Sequence, residues 1–192
     1  MLSHFRSALV LLAVMTALTG LAYPLGVTAI AHLAFPDQAA GSLIERDGHV
    51  IGSALIGQEF TSPGYFHGRP SAAGTGYDAA NSSGSNLAPS SAQLAETVAA
   101  RVTALQAENP EETGPVPADL VTASASGLDP DISPAGAAWQ VRRVAAARGA
   151  AVGDVQALVV RHTQRRELGL LGEARVNVLK LNLALDERLP MR

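Results

Sequence analysis

An apolar stretch at the amino terminus constrains this chain more than any other feature. From Ser7 to Ala31 the only ionisable side chain is that of Tyr23. Roughly 20 apolar residues in a helix cross a hydrocarbon core of about 30 Å, so we predict one transmembrane helix over residues 7–34. A cleaved secretory signal is the alternative, since Ala29 and Ala31 have the A-x-A spacing of a cleavage site. The apolar part of a signal is only about 7 to 15 residues long, which favours a retained anchor.

The charges on either side of this stretch predict its orientation. His4 and Arg6 precede it, and Asp37 is the first charged residue after it. Positive residues prefer the cytoplasmic side of a membrane. We therefore expect residues 1–6 in the cytoplasm and residues 37–192 outside it, as one soluble extracytoplasmic domain of an inner or plasma membrane protein.

Charge and composition argue against several functions. The net charge of -3 provides no basic field for nucleic acid. The absence of cysteine excludes disulfides, thiolate metal sites and a cysteine nucleophile. The five histidines lack metal-ligand spacing such as HExxH, so we expect no metal site. The sequence contains neither a GxSxG elbow nor a GxxxxGK[ST] phosphate loop.

The remainder of the chain mixes strand and helix patterns, which predicts an α+β fold. Asp47-Gly48 between two β-prone runs indicates a β-hairpin within residues 42–60. A long segment, 61–91, follows without clear periodicity. Beyond it we expect about four helices joined by long ordered loops, and one short strand over residues 120–126.

The predicted helices are marked by their ends. Ser90 with Gln93 forms a capping-box pattern for the first, which stops before Pro110. Ser133 caps the second, which closes at Gly149. The third covers residues 153–168. Residues 175–187 fit a strand or a helix, and their leucine and alanine content favours the helix.

The stretch "NSSGSNLAPSS", residues 81–91, has the composition of a flexible linker. It nevertheless leads into a capped helix and follows a segment that contains aromatic residues. Asn and Ser side chains can also hydrogen-bond to the nearby backbone and hold a loop in place. We therefore expect an ordered polar loop.

The serine- and aspartate-rich segment 121–137 allows two chemical interpretations. Asp129, Asp131 and Ser133 occupy the first, third and fifth positions of a calcium loop, but Pro134 and Gln140 stand where glycine and glutamate are needed. A hydrolase could instead combine Ser124 or Ser126 with Asp129 and His162, since a triad is defined by geometry. A membrane-anchored extracytoplasmic hydrolase or binding domain that acts alone is thus the alternative function.

Several long strings resemble the C subunit of the Kdp potassium-transporting ATPase, a bacterial complex for high-affinity potassium uptake. They follow a single amino-terminal span, in the family's order. The strings are "FTSPGYFHGRPSA" at 60–72, "YDAANSSGSNLAPSS" at 77–91, "VTASASGLDPDISPAGA" at 121–137, "QVRRVAAARG" at 140–149 and "RVNVLKLNLALD" at 175–186.

The resemblance implies a non-catalytic accessory subunit. It implies three protein partners in the membrane: a channel-like potassium-binding subunit, a P-type subunit that hydrolyses ATP, and a small single-span subunit. The chain would stabilise this assembly, contact membrane lipid, and act as a catalytic chaperone that raises the ATP-binding affinity of the P-type subunit. No cofactor would be tightly bound, and any ATP contact would be transient and shared with the P-type subunit.

The resemblance also suggests site residues. Ser124, Ser126 and Gly127, in "TASASG", are the candidates for nucleotide contact. The candidates for the subunit interface are Tyr65, Phe66, Arg69, Tyr77, Asp78, Asn81, Ser83, Ser85, Asn86, Asp129 and Asp131. A domain outside the cytoplasm could not reach cytoplasmic ATP, so an effect on ATP affinity would then be an allosteric coupling between separate sites. Direct contact and allosteric coupling are both compatible with the sequence.

Overall fold

A computed structural model describes residues 2–191 and shows a mixed α/β protein. The chain divides into two compact units, of which the first ends at Ile51 and the second begins at Gly52.

The first unit contains one long helical segment. It consists of α1 (Leu2–Met15), a π-helical segment (Thr16–Ala22) and α2 (Tyr23–Ala34). Its stretch His4–Ala34 is long and apolar enough to cross a membrane, and none of its most apolar part is buried. The π-helical segment ends just before Pro24, the second residue of α2, and the backbone of Ala22 and Tyr23 is helical, so the helix continues past the proline.

A short helix and a β-hairpin follow the long helix. The helix is α3 (Pro36–Ala39), and strands β1 (Leu43–Arg46) and β2 (His49–Ser53) pair as a two-stranded sheet. Asp47 and Gly48 between them have φ angles of 53° and 76°. Positive φ at both central residues is what a tight hairpin turn requires, so the predicted hairpin is confirmed.

The second unit combines four helices with a small antiparallel sheet. The helices are α4 (Ala92–Glu108), α5 (Pro134–Arg148), α6 (Val152–His162) and α7 (Val178–Arg188). The strands are β3 (Asp131–Ile132), β4 (Thr163–Gln164) and β5 (Arg175–Asn177), with β5 in the centre. Val176 of β5 lies opposite both Ile132 and Thr163.

The hydrophobic core lies among α5, α6, α7 and this sheet. Its fully buried side chains include Val144, Val155, Val176 and Leu185. One face of α6 packs into this core, since Val155, Leu158 and Val159 are all buried. Helix α4, in contrast, has no buried residue.

Two buried side-chain amides attach the loop around Phe66 to this core. The Phe66 N–H donates to Asn182 Oδ1 at 2.9 Å, and Asn182 Nδ2 donates back to the Phe66 carbonyl at 2.9 Å. Gln140 makes the same pair of bonds with the backbone of His67, at 2.8 and 3.1 Å. Each side-chain amide thus hydrogen-bonds both the N–H and the C=O of one loop residue, as a neighbouring β-strand would.

One predicted strand and two predicted helix boundaries were wrong. Residues 120–126 form no strand: a 3₁₀ turn (Ala118–Leu120) leads into a loop. The cap of α4 is Ser91, not Ser90, since the Ser91 hydroxyl accepts from the Leu94 N–H. Helix α6 ends at His162 instead of residue 168, because the chain turns extended at Thr163 to pair with β5.

The ambiguous segment 175–187 contains both predicted structures. It is a strand up to Asn177 and a helix from Val178. Asn177 makes the change possible, because its side-chain oxygen accepts from the Lys180 N–H at 3.0 Å and caps α7.

Candidate functional site

Two loops that are far apart in the sequence lie side by side on the second unit. They are residues 81–85 and residues 122–127, and we call them the paired loops. The Ser83 N–H and the Ser82 hydroxyl both donate to the Ser126 carbonyl at 3.0 Å. Ser126, predicted to contact nucleotide, therefore lies next to Ser83, predicted to lie at the subunit interface.

Gly127 makes this close approach possible. Its φ is +67°, a conformation that favours glycine. A Cβ atom there would lie 2.5 Å from the Ser83 carbonyl oxygen and 2.6 Å from the Ala73 nitrogen. No side chain fits, so only glycine lets the paired loops meet.

Ser71 connects a third segment to the paired loops. Its hydroxyl donates to the Gly127 carbonyl at 2.6 Å and accepts from the N–H groups of Ala73 and Tyr77 at 3.1 and 2.7 Å. Ser71 was not among the predicted site residues. No local pattern reveals its link to the paired loops, because Gly127 lies 56 residues further along the chain.

Arg69 and Asp129 form a partly exposed ion pair beneath the same surface. Arg69 Nη1 lies 2.9 Å from Asp129 Oδ2, and Nη2 donates to the carbonyls of Thr122 and Ala123. The other oxygen of Asp129 accepts from the Asp131 N–H at 3.0 Å. The pair thus holds the start of the second paired loop against residue 69.

The side chains of Tyr77 and Asp78 also form hydrogen bonds with the nearby backbone. The Tyr77 hydroxyl donates to the Arg69 carbonyl. Burial, together with the carboxylates of Glu59 and Asp129, raises the pKa of Tyr77 to about 12, so the phenol keeps its proton. Asp78 accepts from Asn81 Nδ2 at 2.6 Å and from the Ala80 N–H at 3.0 Å, and these bonds lower its pKa.

Asp131 differs from the other acidic candidates. Burial and the nearby Asp129 carboxylate raise its pKa, while Arg175, 3.2 Å away, and Asn177 act in the opposite direction. Its place in β3, opposite Asn177, makes it a link between the loops and the sheet.

Of the predicted interface residues, Phe66 lies inside the protein and Tyr65 is partly buried. Phe66 is completely buried in the core. The Tyr65 hydroxyl donates to Asp186 at 3.0 Å, and its ring faces the guanidinium of the buried Arg148 at 4.8 Å. Phe66 thus packs the core, and Tyr65 contacts both members of the Arg148–Asp186 ion pair. Ser83, Ser85 and Asn86 are exposed, as an interface requires.

The sequence matches a known protein family over most of its length. The family model "KdpC: K+-transporting ATPase, c chain" matches residues 5–187. The chain belongs to the KdpC family. A potassium-transporting ATPase KdpC subunit of Rhodospirillum rubrum is 61% identical over 191 residues, which cover 100% of this chain and 99% of the relative. That of Sorangium cellulosum is 63% identical over 187 residues, covering 97% and 98% of the two chains.

In this KdpC chain the serines of "TASASG" are already bonded to their own backbone. The Ser124 hydroxyl accepts from the Gly127 N–H at 2.9 Å, and the Ser126 hydroxyl accepts from the Leu128 N–H at 3.1 Å. A phosphate cradle needs N–H groups that point at the ligand. Here the Gly127 N–H group is turned towards Ser124, so the geometry does not favour a phosphate site on this loop.

The structure does not assemble the alternative hydrolase triad. The Asp129 carboxylate is paired with Arg69, and Ser124 and Ser126 bond to backbone and to each other. His162 ends α6, and its charged neighbours are Arg188, Glu187 and Lys180. Among the described residues no hydrogen bond connects this histidine to either serine or to Asp129. In the described part of the chain, His162 is therefore not placed to act as the base for Ser124 or Ser126.

Proposed function

We propose that this chain is a non-catalytic accessory subunit of an ATP-driven potassium uptake complex. The observation that carries the proposal is the family match, which includes both the apolar helix and the folded second unit. The relatives are named as subunits of a potassium-transporting ATPase. The internally bonded serines support a binding role over a catalytic one.

The paired loops are the proposed docking surface. Their backbone is fixed by Ser71, Gly127 and the Arg69–Asp129 pair, while Ser83 and Ser85, and Asn86 next to them, are left exposed. A loop that is already ordered loses little conformational entropy when it binds, which favours affinity. The proposed partner is the entry side of the channel-like potassium-binding subunit. Inside the bilayer, the apolar helix would meet the P-type subunit or the small single-span subunit.

The proposed topology places the second unit outside the cytoplasm. It rests on Arg6 before the span and Asp37 after it. In this topology the chain raises the ATP affinity of the P-type subunit by allosteric coupling, without holding nucleotide itself. The use of the TASASG serines for internal bonds supports the same choice.

Single-cysteine labelling tests the topology and the docking surface together. The chain has no cysteine, so Ser85→Cys and Gln156→Cys each introduce one labelling site, both at exposed positions. A maleimide that cannot cross membranes should label both variants in intact cells that produce this chain alone. Co-production of the partner subunits should protect residue 85 and leave residue 156, on α6, reactive.

Two outcomes would contradict these proposals separately. Labelling only after the cells are permeabilised would place the second unit in the cytoplasm. Equal labelling of residue 85 with and without the partners would remove the paired loops from the interface, while co-purification would still test membership of the complex.

The nucleotide question has its own experiment. The purified complex should need more ATP for half-maximal hydrolysis when this chain is removed. A photoreactive ATP analogue should label the P-type subunit and not this chain. A labelled peptide that contains residues 124–127 would instead establish direct nucleotide contact.

A further inference from the structure

Strands β4 and β5 are joined by a rigid hairpin loop of residues 165–174. Glu167 and Leu171 pair across it through two hydrogen bonds, each 2.9 Å long. Arg166 Nη2 contacts both carboxylate oxygens of Glu173, at 2.7 and 2.6 Å. These cross-links define the loop's shape without help from the rest of the domain.

The end of this hairpin presents three leucines to solvent. We call Leu168, Leu170 and Leu171 the leucine tip; they are 90%, 81% and 60% exposed. Leu168 also has a φ of +53°, a conformation in which Gly, Asn and Asp are favoured over an apolar side chain. The fold itself gains nothing from leucine at this position. A strained, exposed apolar residue points to a role in binding.

Exposed cations surround the base of the same hairpin. We call Arg161, Arg165, Lys180 and Arg188 the basic base. Lys180 and Arg188 lie near enough to His162, the residue before β4, to help lower its pKa. None of the four forms an ion pair with another described residue. The tip lies about four residues beyond Gln164, or roughly 13 Å in extended chain.

We propose that the leucine tip inserts into the interface of the membrane that anchors this chain, while the basic base contacts anionic lipid headgroups. Apolar side chains of interfacial segments enter the bilayer by about 5–10 Å, and nearby Arg and Lys are attracted to acidic lipids. The roughly 13 Å between the leucine tip and Gln164 would let the tip reach the acyl chains while the basic base stays at the depth of the headgroups. A convex tip also needs no shaped pocket, which favours a fluid lipid phase over a protein surface.

The inference rests on the membrane anchorage proposed above. An anchor within the same chain keeps lipid at high effective concentration around the domain, so even a weak insertion would be populated. The contact would restrict how the second unit moves above the bilayer.

Quenching by brominated lipid tests the insertion. The full-length Leu170→Trp variant would be reconstituted alone into vesicles of phosphatidylcholine and phosphatidylglycerol with brominated acyl chains. We expect its added fluorescence to fall about twofold relative to unbrominated vesicles, because the tip reaches the acyl boundary. The native Trp139 is only 6% exposed and reports that the domain is folded. Gln156→Trp, at an exposed site on α6, is the matched control and should be quenched little.

A second pair of substitutions, made in the Leu170→Trp variant, tests the basic base. Arg165→Gln combined with Lys180→Gln should reduce the quenching of the introduced tryptophan when phosphatidylglycerol is present. In vesicles of phosphatidylcholine alone the same changes should have little effect.

Each remaining outcome contradicts a specific statement. Absence of quenching in chains that float with the vesicles would overturn the insertion while leaving the anchorage intact. A blue shift of the introduced tryptophan's emission that occurs only on assembly with the partner subunits would make the tip a protein docking surface and overturn the lipid contact. Failure to float would overturn the anchorage and, with it, this inference.

Discussion

Gly127 determines whether the paired loops can meet. Replacing it with alanine would add both the strain of a positive φ and a direct clash with the Ser83 carbonyl. We expect Gly127→Ala to lower the free energy of unfolding by about 3 kcal/mol or more, since a left-handed residue alone costs roughly 1–2 kcal/mol. This change is measured by denaturant unfolding of the full chain in detergent, with Trp139 fluorescence as the signal.

Gly149 supplies a matched control for this prediction. Its φ is +61°, but a Cβ there would meet no atom within 4 Å. Gly149→Ala should therefore show only the backbone cost, about 1–2 kcal/mol. Equal losses in the two variants would mean that the loop contact contributes nothing to stability.

His67 makes stability depend on pH. Burial and the nearby Arg143 lower its pKa, and the Ser62 carbonyl and Glu108 only partly oppose them. The unfolded chain, with a histidine pKa of about 6.5, therefore binds a proton more readily than the folded chain. The free energy of unfolding should be constant above that pH and should fall as the pH drops from about 6.5 towards 5.

Substitution of His67 tests the origin of this pH dependence. The pKa of His162 is also lowered, but this ring is less buried and makes no hydrogen bond with any described residue. Unfolding midpoints measured from pH 7 to pH 5 should decline less in His67→Gln than in the original chain. His162→Gln should retain more of the decline. A slope that His67→Gln leaves unchanged would contradict this assignment.

At the scale of single residues, the sequence predicted polar surface positions better than buried ones. Ser83, Ser85 and Asn86 are exposed as expected, whereas Phe66 lies in the core. Exposure of an aromatic residue in a loop depends on what packs over it. For Phe66 this is decided by Asn182, 116 residues further along the chain, and no local pattern could have indicated it.

At the scale of elements, the two serine caps should differ in strength. The Ser133 hydroxyl accepts from the Gly136 N–H at 2.9 Å and donates to Asp119, whose other oxygen accepts the Ser133 N–H at 2.7 Å. Ser91 makes a single 3.4 Å bond at the start of α4, a helix with no buried residue.

We expect Ser133→Ala to lower the free energy of unfolding by about 2 kcal/mol and Ser91→Ala by about 0.5 kcal/mol, the two ends of the range for helix caps. Urea unfolding of the full chain in detergent compares them. If Ser91→Ala cost as much as Ser133→Ala, α4 would be more firmly part of the cooperative unit than its burial indicates.

The elements that the sequence predicted are those with local chemistry. Asp47-Gly48 and the ends of α5 at Ser133 and Gly149 were located correctly, because turn and cap residues act on their own neighbours. The end of α6 at His162 depends on pairing with β5, and the absence of a strand over residues 120–126 depends on contact with residues 81–85. Such tertiary contacts override local propensity.

At the scale of the whole molecule, the second unit should fold without the apolar helix. The hydrophobic core is built entirely from residues of the second unit, and independent parts of a protein contribute additively to its stability. A chain of residues 43–192, which keeps the β-hairpin, should unfold cooperatively with a free energy within about 0.5 kcal/mol of the full chain. Trp139 fluorescence under the same detergent conditions measures both. Loss of a cooperative transition would show that the helix is needed for folding.

The hydrogen bonds between Phe66 and Asn182 also determine when this part of the protein can fold. They join residues 116 positions apart, and contacts of such separation form late because a long loop of chain must close first. The core around Phe66 cannot be completed during synthesis until α7 has left the ribosome. The loop around Phe66 must therefore stay without its native contacts until α7 has been synthesised, even though the paired loops could already have met.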